Sequence, residues 1–258
     1  MVEIKELSKD EFNQIVVEQE FNRDLLLKDY YITMMLYFLK DINGLVFKGG
    51  TALQKTFLEY SRLSEDIDFT LKKDINIVKK EIIKILDKSK IFGKISKDKD
   101  VMMFTRLIVP YNTNLGKGEI FIDLNEKSKL LTKPENFDMK HFYSNIPKFD
   151  FLCLSQKEMV GEKVAAAIGR NKPRDHYDIY QIIKHKIPID MKIVKEKCMK
   201  SGSDPSILKM FNKAKKLYKK WGSDIFPLIK EDIKFQEVMQ TLAKYFNLKQ
   251  EKDKLKKK

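Results

Sequence analysis

Asp66 and Asp68 are separated by one residue in the segment Ser64-Glu65-Asp66-Ile67-Asp68-Phe69. Side chains alternate along an extended strand, so the two carboxylates share one face while Ile67 and Phe69 point to the other. Carboxylates placed in this way can hold divalent cations. In two-metal sites such ions lie about 4 Å apart and clamp the attacking and leaving oxygens of a displacement. Two acids on the wet face of an edge strand would give the same spacing. The neighbouring Arg62 and Ser64 and a glycine turn upstream argue against that plainer reading. A third carboxylate, Asp123, ends the apolar run Glu119-Ile120-Phe121-Ile122-Asp123-Leu124. If its strand lies beside that of Asp66 and Asp68, it completes a metal site and can act as general base toward an attacking hydroxyl. Spacing alone does not fix that pairing.

Gly49-Gly50-Thr51 stands between a short apolar strand and a helix. Paired glycines let the backbone approach a ligand closely, and a helix N-terminus offers unpaired N–H groups to a phosphate. A tight strand-to-helix turn uses the same residues. Lys55-Thr56 suggests a P-loop, but Gln54 occupies the place of the second loop glycine, so that reading fails. Arg62 and Ser64 join the turn as nucleotide-binding candidates.

A further group lies in Gly161-Glu162-Lys163 through Arg174-Asp175-His176-Tyr177-Asp178. Lys163 and Arg170 are two helical turns apart on one face, and Asp175 and Asp178, spaced i and i+3, share another. Pro173 predicts the start of the second helix. Such charges can form an interhelical ion-pair network. Lys163, beside Ala165-Ala166-Ala167, can instead be held toward a triphosphate as a point charge. Arg170 and Arg174 are candidates for phosphate contacts because a guanidinium fork matches phosphate geometry. His176 reads as a structural neighbour.

These residues need elements to position them. With 43% apolar residues the 258-residue chain can bury a core. Its longest uncharged apolar run, Tyr30 to Leu39, is too short to span a bilayer. Cys153 and Cys198 stand far apart without a CxxC, which fits a reducing cytoplasm and implies no zinc site. The net charge of +14 suits a polyanionic partner, although many lysines simply fill solvated faces. Only five of the 51 cations are arginine, and three of those, Arg62, Arg170 and Arg174, fall in the motifs above.

Strands and helices mix up to about residue 150. A capping box at Ser8 to Glu11 opens a helix. Helical spacing covers residues 24–43, 51–60 and 74–89, strand patterns cover 66–71, 101–111 and 118–124, and an Asn/Gly segment suggests a hairpin between the last two. From 151 to 258 the pattern is helical, over 156–169, 174–185, 190–200, 204–220 and 231–247. The lysine-rich end from Lys249 reads as a flexible, solvated tail. The expectation is an α/β (α+β) first domain, 1–150, and an all-helical second, 151–258.

Phe47-Lys48-Gly49-Gly50-Thr51-Ala52-Leu53, Arg62 through Phe69, Lys163, and Arg174 through Asp178 together resemble the AbiEii/AbiGii toxin family. The resemblance spans about residues 40–185. It implies a polymerase-β-like nucleotidyltransferase domain with a mixed sheet, followed by a helical domain. It further implies that Gly50 and Thr51 hold nucleotide phosphates and that Asp66 and Asp68 bind Mg²⁺ (or Mn²⁺). Lys163 and one of Asp175 and Asp178 are implied to be needed for activity. Some members transfer nucleotides to the 3′ end of tRNA and so block translation; others bind nucleotides.

The expected function is therefore a cytoplasmic toxin that moves NMP from NTP to an RNA acceptor, with tRNA the expected one and a cognate antitoxin as partner. Its rivals are a silent nucleotide-binding regulator and an enzyme of the same fold acting on a small molecule or protein. A plain basic RNA-binding protein would leave the aligned acids unexplained.

Overall fold

The computed structural model describes residues 4–127 and 129–256. It divides the chain after Ser155 into two units, Met1–Ser155 and Gln156–Lys258. The first opens with α1 (Lys9–Gln19), whose Ser8–Glu11 capping box forms as its sequence requires. The next helix, α2 (Arg23–Leu39), is buried around almost its whole circumference.

Seven strands build one mixed sheet. They are β1 (Leu45–Lys48), β2 (Asp66–Leu71), β3 (Ser96–Val101), β4 (Phe104–Thr113), β5 (Gly116–Asn125), β6 (Glu135–Asp138) and β7 (Asp150–Cys153), in the order β3-β4-β5-β2-β1-β7-β6. The central β2 runs antiparallel to β1 and parallel to β5. Phe47, Phe69 and Phe151, from β1, β2 and β7, pack with ring centroids 5.6 Å apart in each pair and anchor the middle of the sheet. Two helices complete the unit: α3 (Gly49–Thr56) directly after β1, and α4 (Ile75–Ser89), capped by the Asp74 side chain.

Lys55 lies fully buried within this unit. Its Nζ meets Asp29 Oδ1 at 2.8 Å, Thr33 Oγ1 at 2.7 Å and the Tyr60 hydroxyl at 2.6 Å. The cation that invited a P-loop comparison thus ties α3 to α2. A buried charge persists only with such a full set of partners.

The second unit consists of α5 (Gln156–Gly169), α6 (Pro173–Lys184), α7 (Met191–Lys200), α8 (Ala214–Ile225), α9 (Phe235–Tyr245) and α10 (Leu248–Lys256), with 3-10 turns at Ile207–Met210 and Phe226–Leu228. Its core gathers Val164, Ile179, Val194, Met210, Trp221 and Leu242. Close approach of α5 and α7 depends on Gly161, where a Cβ would stand 2.5 Å from Ile193 Cγ2.

Four expectations need correction. A boundary at residue 150 would cut β7 from the sheet, since Phe47 of β1 pairs with Cys153. Strands β3 and β6 are unexpected: β3 is exposed along its whole length, and β6 has only Phe137 packed inward, against Phe57, so neither shows an alternation to read. The segment 204–220 is a 3-10 turn followed by α8 rather than one helix. From Leu248 to Lys256 the expected flexible tail is α10: Glu251 and Asp253 interrupt its lysines, and Glu251 N–H donates to the Asn247 carbonyl. Residues 257–258 lie outside the described ones.

Candidate active site

In the first unit the sheet register creates the site. The strand β2 alternates as its sequence demands, with Ile67 and Phe69 fully buried and Asp66 and Asp68 half-buried on the opposite face. Its neighbour β5 places Asp123 directly beside Asp68, while β1 places Lys48 on the other side. The β2–β5 adjacency on which the third carboxylate depended therefore exists.

The glycine turn closes over this face. Gly49 has φ +83°, a left-handed backbone that L side chains rarely adopt, and a Cβ there would collide with Asp68 Oδ2. A Cβ on Gly50 would stand 2.9 Å from Arg62 Nη2 and 3.2 Å from Ser64 Oγ. Both glycines are needed because carboxylate, guanidinium and hydroxyl all press against the start of α3. The N-cap residue, Lys48, provides no side-chain cap, and the Asp68 carboxylate lies against the positive start of α3.

Other candidates are committed to the scaffold. The Thr51 hydroxyl donates to the Asp66 carbonyl and is buried, which ties α3 to β2. Arg62 is 2% exposed, and its Nη1 donates to the Leu63 carbonyl at 2.7 Å. The buried Gln54 amide oxygen accepts from Ser61 Oγ at 3.0 Å and from the Arg62 N–H at 3.3 Å. The residue that defeats the P-loop pattern therefore holds the segment leading into β2.

Asp123 is engaged by a residue the sequence reading passed over. Arg106, opposite it on β4, donates from Nε to Oδ1 and from Nη2 to Oδ2, both at 2.7 Å. The one available signal was the scarcity of arginine, each of which invites a search for a bidentate partner. Lys28 also stands near, 4.0 Å from Glu65 and over the Phe121 ring. Asp123 stands beside Asp68 in the sheet register, and among the described residues no three Asp, Glu, His or Cys side chains are already gathered as a metal cluster.

The donor set still suits Mg²⁺, which takes hard oxygen ligands and is commonly held by one or two carboxylates plus substrate phosphates and water. Burial pushes the Asp66 carboxyl above its usual range; Lys28 and Arg106 pull it down, and Glu65 and Asp123 add to the rise. A carboxylate so disfavoured in its charged form gains from a nearby cation.

In the second unit, Lys163 is buried between two acids, with Nζ 3.2 Å from Asp175 Oδ1 and 2.8 Å from Asp178 Oδ2. Arg170 meets Asp175 from outside through Nε at 2.8 Å and Nη2 at 2.7 Å. The geometry is that of the interhelical network, joining α5 to α6. Burial raises the Asp175 carboxyl, but Lys163 and Arg170 outweigh it and hold the group well below the carboxylate range. His176 faces the Lys172 and Met210 carbonyls at 3.0 and 2.9 Å, a structural role as expected. Arg174, half-buried, follows Pro173 in the first turn of α6.

A profile of the nucleotidyl transferase AbiEii toxin family, from type IV toxin–antitoxin systems, matches residues 36–244. The chain belongs to the AbiEii family. It is a nucleotidyltransferase, and the family implies a nucleotide substrate and a cognate antitoxin. The AbiEii match extends well beyond the motifs, through α8 to α9. Among solved structures, JHP933 from Helicobacter pylori superimposes with a TM-score of 0.62 at 19% identity, covering 92% of this chain and 95% of that one. A second protein from H. pylori, provisionally assigned as a nucleotidyltransferase, gives 0.58 at 19% identity over 92% and 98%. Both likenesses concern the AbiEii chain's fold. No curated protein matches the sequence significantly. Among the described residues no helix is long and apolar enough to cross a membrane.

Proposed function

We propose that this AbiEii-family chain transfers a nucleoside monophosphate from NTP to RNA, with tRNA the expected acceptor, and so blocks translation. The observation that carries the reading is the pair Asp66 and Asp68 on the open face of β2, against the Gly49–Gly50 turn. The start of α3 receives triphosphate oxygens through backbone N–H groups, and the two glycines allow that approach. Asp66 and Asp68 are the residues that would hold Mg²⁺, which when bound supplies charge neutralisation and Lewis-acid polarisation at the α-phosphorus. Asp123 fixes Arg106, and the guanidinium adds positive charge beside Asp66, where charge on the oxygens of the transferring phosphoryl group must be stabilised. An acceptor hydroxyl, giving its proton to a carboxylate of the site or to water, forms the new P–O bond as the α–β bridging P–O bond breaks and pyrophosphate leaves. Arg62, Gln54 and Ser64 keep the turn in place. Lys163, Asp175 and Asp178 fix α5 against α6, and Asp175 holds the Arg170 fork at that junction.

The test is incubation of total RNA with each labelled NTP and Mg²⁺. Incorporation into RNA of tRNA size, lost in Asp68→Asn, is expected. Pyrophosphate release without RNA labelling would shift the reading to a small-molecule or protein acceptor, and no release with any NTP would leave a nucleotide-binding regulator.

A further inference from the structure

A pocket of about 420 Å³ opens in the helical unit where the α5–α6 turn meets α8. Six cations line it: Arg170, Lys172, Arg174, Lys213, Lys216 and Lys220, against the single acid Asp224 among the described lining residues. We propose that this pocket is the docking site for the phosphate backbone of the acceptor RNA, a role that rests on the RNA-transfer reading above.

Three observations support it. The first is spacing: Lys213 is the N-cap residue of α8, and Lys216 and Lys220, four apart, share one face of that helix and line the same pocket. At 1.5 Å per residue the three cover roughly 10 Å, the reach of about three phosphates along one strand. The second is neutralisation. Among the described residues, Lys172, Lys213, Lys216 and Lys220 have no ion-pair partner, whereas Lys163 and Lys197 of the same unit each hold two carboxylates. Positive charge gathered in a concavity, with these four unpaired lysines against the one acid among the described lining residues, Asp224, concentrates external anions. The third is the helix that faces the lysines. Pro173 fixes the start of α6, and its N-cap residue, Lys172, supplies no side-chain cap, so the positive pole of the helix adds to the same field. Asp175 holds the Arg170 fork in place from below.

Nucleic acid fits better than an acidic protein. The apolar residues in the lining, Pro173 and Leu217, are buried, so the pocket offers no aromatic or aliphatic anchor of the kind that dominates protein interfaces. Exposed lysines read a phosphate backbone without regard to base sequence.

The experiment compares wild type with the triple variant Lys213→Glu, Lys216→Glu, Lys220→Glu, whose side chains are exposed, after a melting curve confirms the fold. Fluorescence anisotropy of labelled tRNA-sized RNA is followed from 50 to 300 mM salt, with NTP binding measured in parallel. The expected result is RNA affinity reduced at least about 10-fold and a log–log salt slope shallower by about 2–3, at 0.7–0.9 per phosphate contact, with NTP binding unchanged. Unchanged affinity and slope would overturn the pocket while leaving RNA transfer intact. Wild type that labels no RNA would overturn the transfer reading, and the pocket as an acceptor site with it. Wild type that prefers polyglutamate to RNA of equal charge, with the preference lost in the variant, would assign the pocket to an acidic protein instead.

Discussion

Arg106 and Asp123 face each other across the β4–β5 ladder and share two hydrogen bonds of 2.7 Å, one to each carboxylate oxygen. The bidentate guanidinium takes one lone pair on each Asp123 oxygen and offsets its charge, which weakens the pull of this carboxylate on a cation. Asp123→Asn is therefore expected to keep Mn²⁺ affinity within about 3-fold, while Asp66→Asn and Asp68→Asn each weaken it by more than about 10-fold. Titration followed by electron paramagnetic resonance reads this directly. Equal losses in all three variants would put Asp123 in the metal's coordination shell.

Gly49→Ala places a methyl group where the Asp68 carboxylate lies and forces alanine into φ +83°. The conformational cost is about 1–2 kcal/mol, small enough for the unit to fold. Nucleotide transfer should be lost with only a modest fall in melting temperature. Wild-type turnover would show that the turn can move away from Asp68 without consequence.

Lys163 is 6% exposed on its side chain and neutralises Asp175 and Asp178, which are 1% and 0% exposed. Lys163→Met leaves both acids buried beside a thioether, and urea unfolding of the variant should show a loss of about 3–5 kcal/mol. Adding Asp178→Leu should restore part of it, since the apolar pair no longer strands a charge. If Lys163→Met kept full stability yet lost turnover, Lys163 would be a chemical participant and not an anchor.

The Asp175 carboxyl titrates below its ordinary 3.8 in the folded chain because Lys163 and Arg170 surround it. As the pH falls, the unfolded chain takes up this proton first, so the ion pairs' contribution is whole above about 3.8 and is lost below it. Melting temperatures measured from pH 6 to pH 2.5 should therefore fall more steeply at the acid end for wild type than for Asp175→Asn. Parallel curves would mean that Asp175 contributes nothing to acid sensitivity.

How much of this was legible depends on the distance over which each cause acts. The face shared by Asp66 and Asp68 follows from strand alternation, a rule of period two that a six-residue segment carries by itself. The capping box at Ser8 and the proline start of α6 are equally local, whereas the demand for glycine at 49 and 50 comes from Asp68, Arg62 and Ser64 farther along the chain. Strand β3 had no local signal, because an exposed edge of Ser, Lys and Asp buries nothing that would pattern it.

The sequence by itself determined which residues could do chemistry: two carboxylates on one strand, a phosphate-sized turn before a helix, and charged pairs at helical spacing. Only the tertiary structure decided what each of them meets. The β4–β5 register gave Asp123 to Arg106, burial beside Asp29 made Lys55 a brace, and the fold of α5 onto α6 enclosed Lys163 between two acids. Periodicity is a property of neighbours along the chain, whereas the pairings here join residues 12 to 26 positions apart. Those residues meet only once the core has fixed their register.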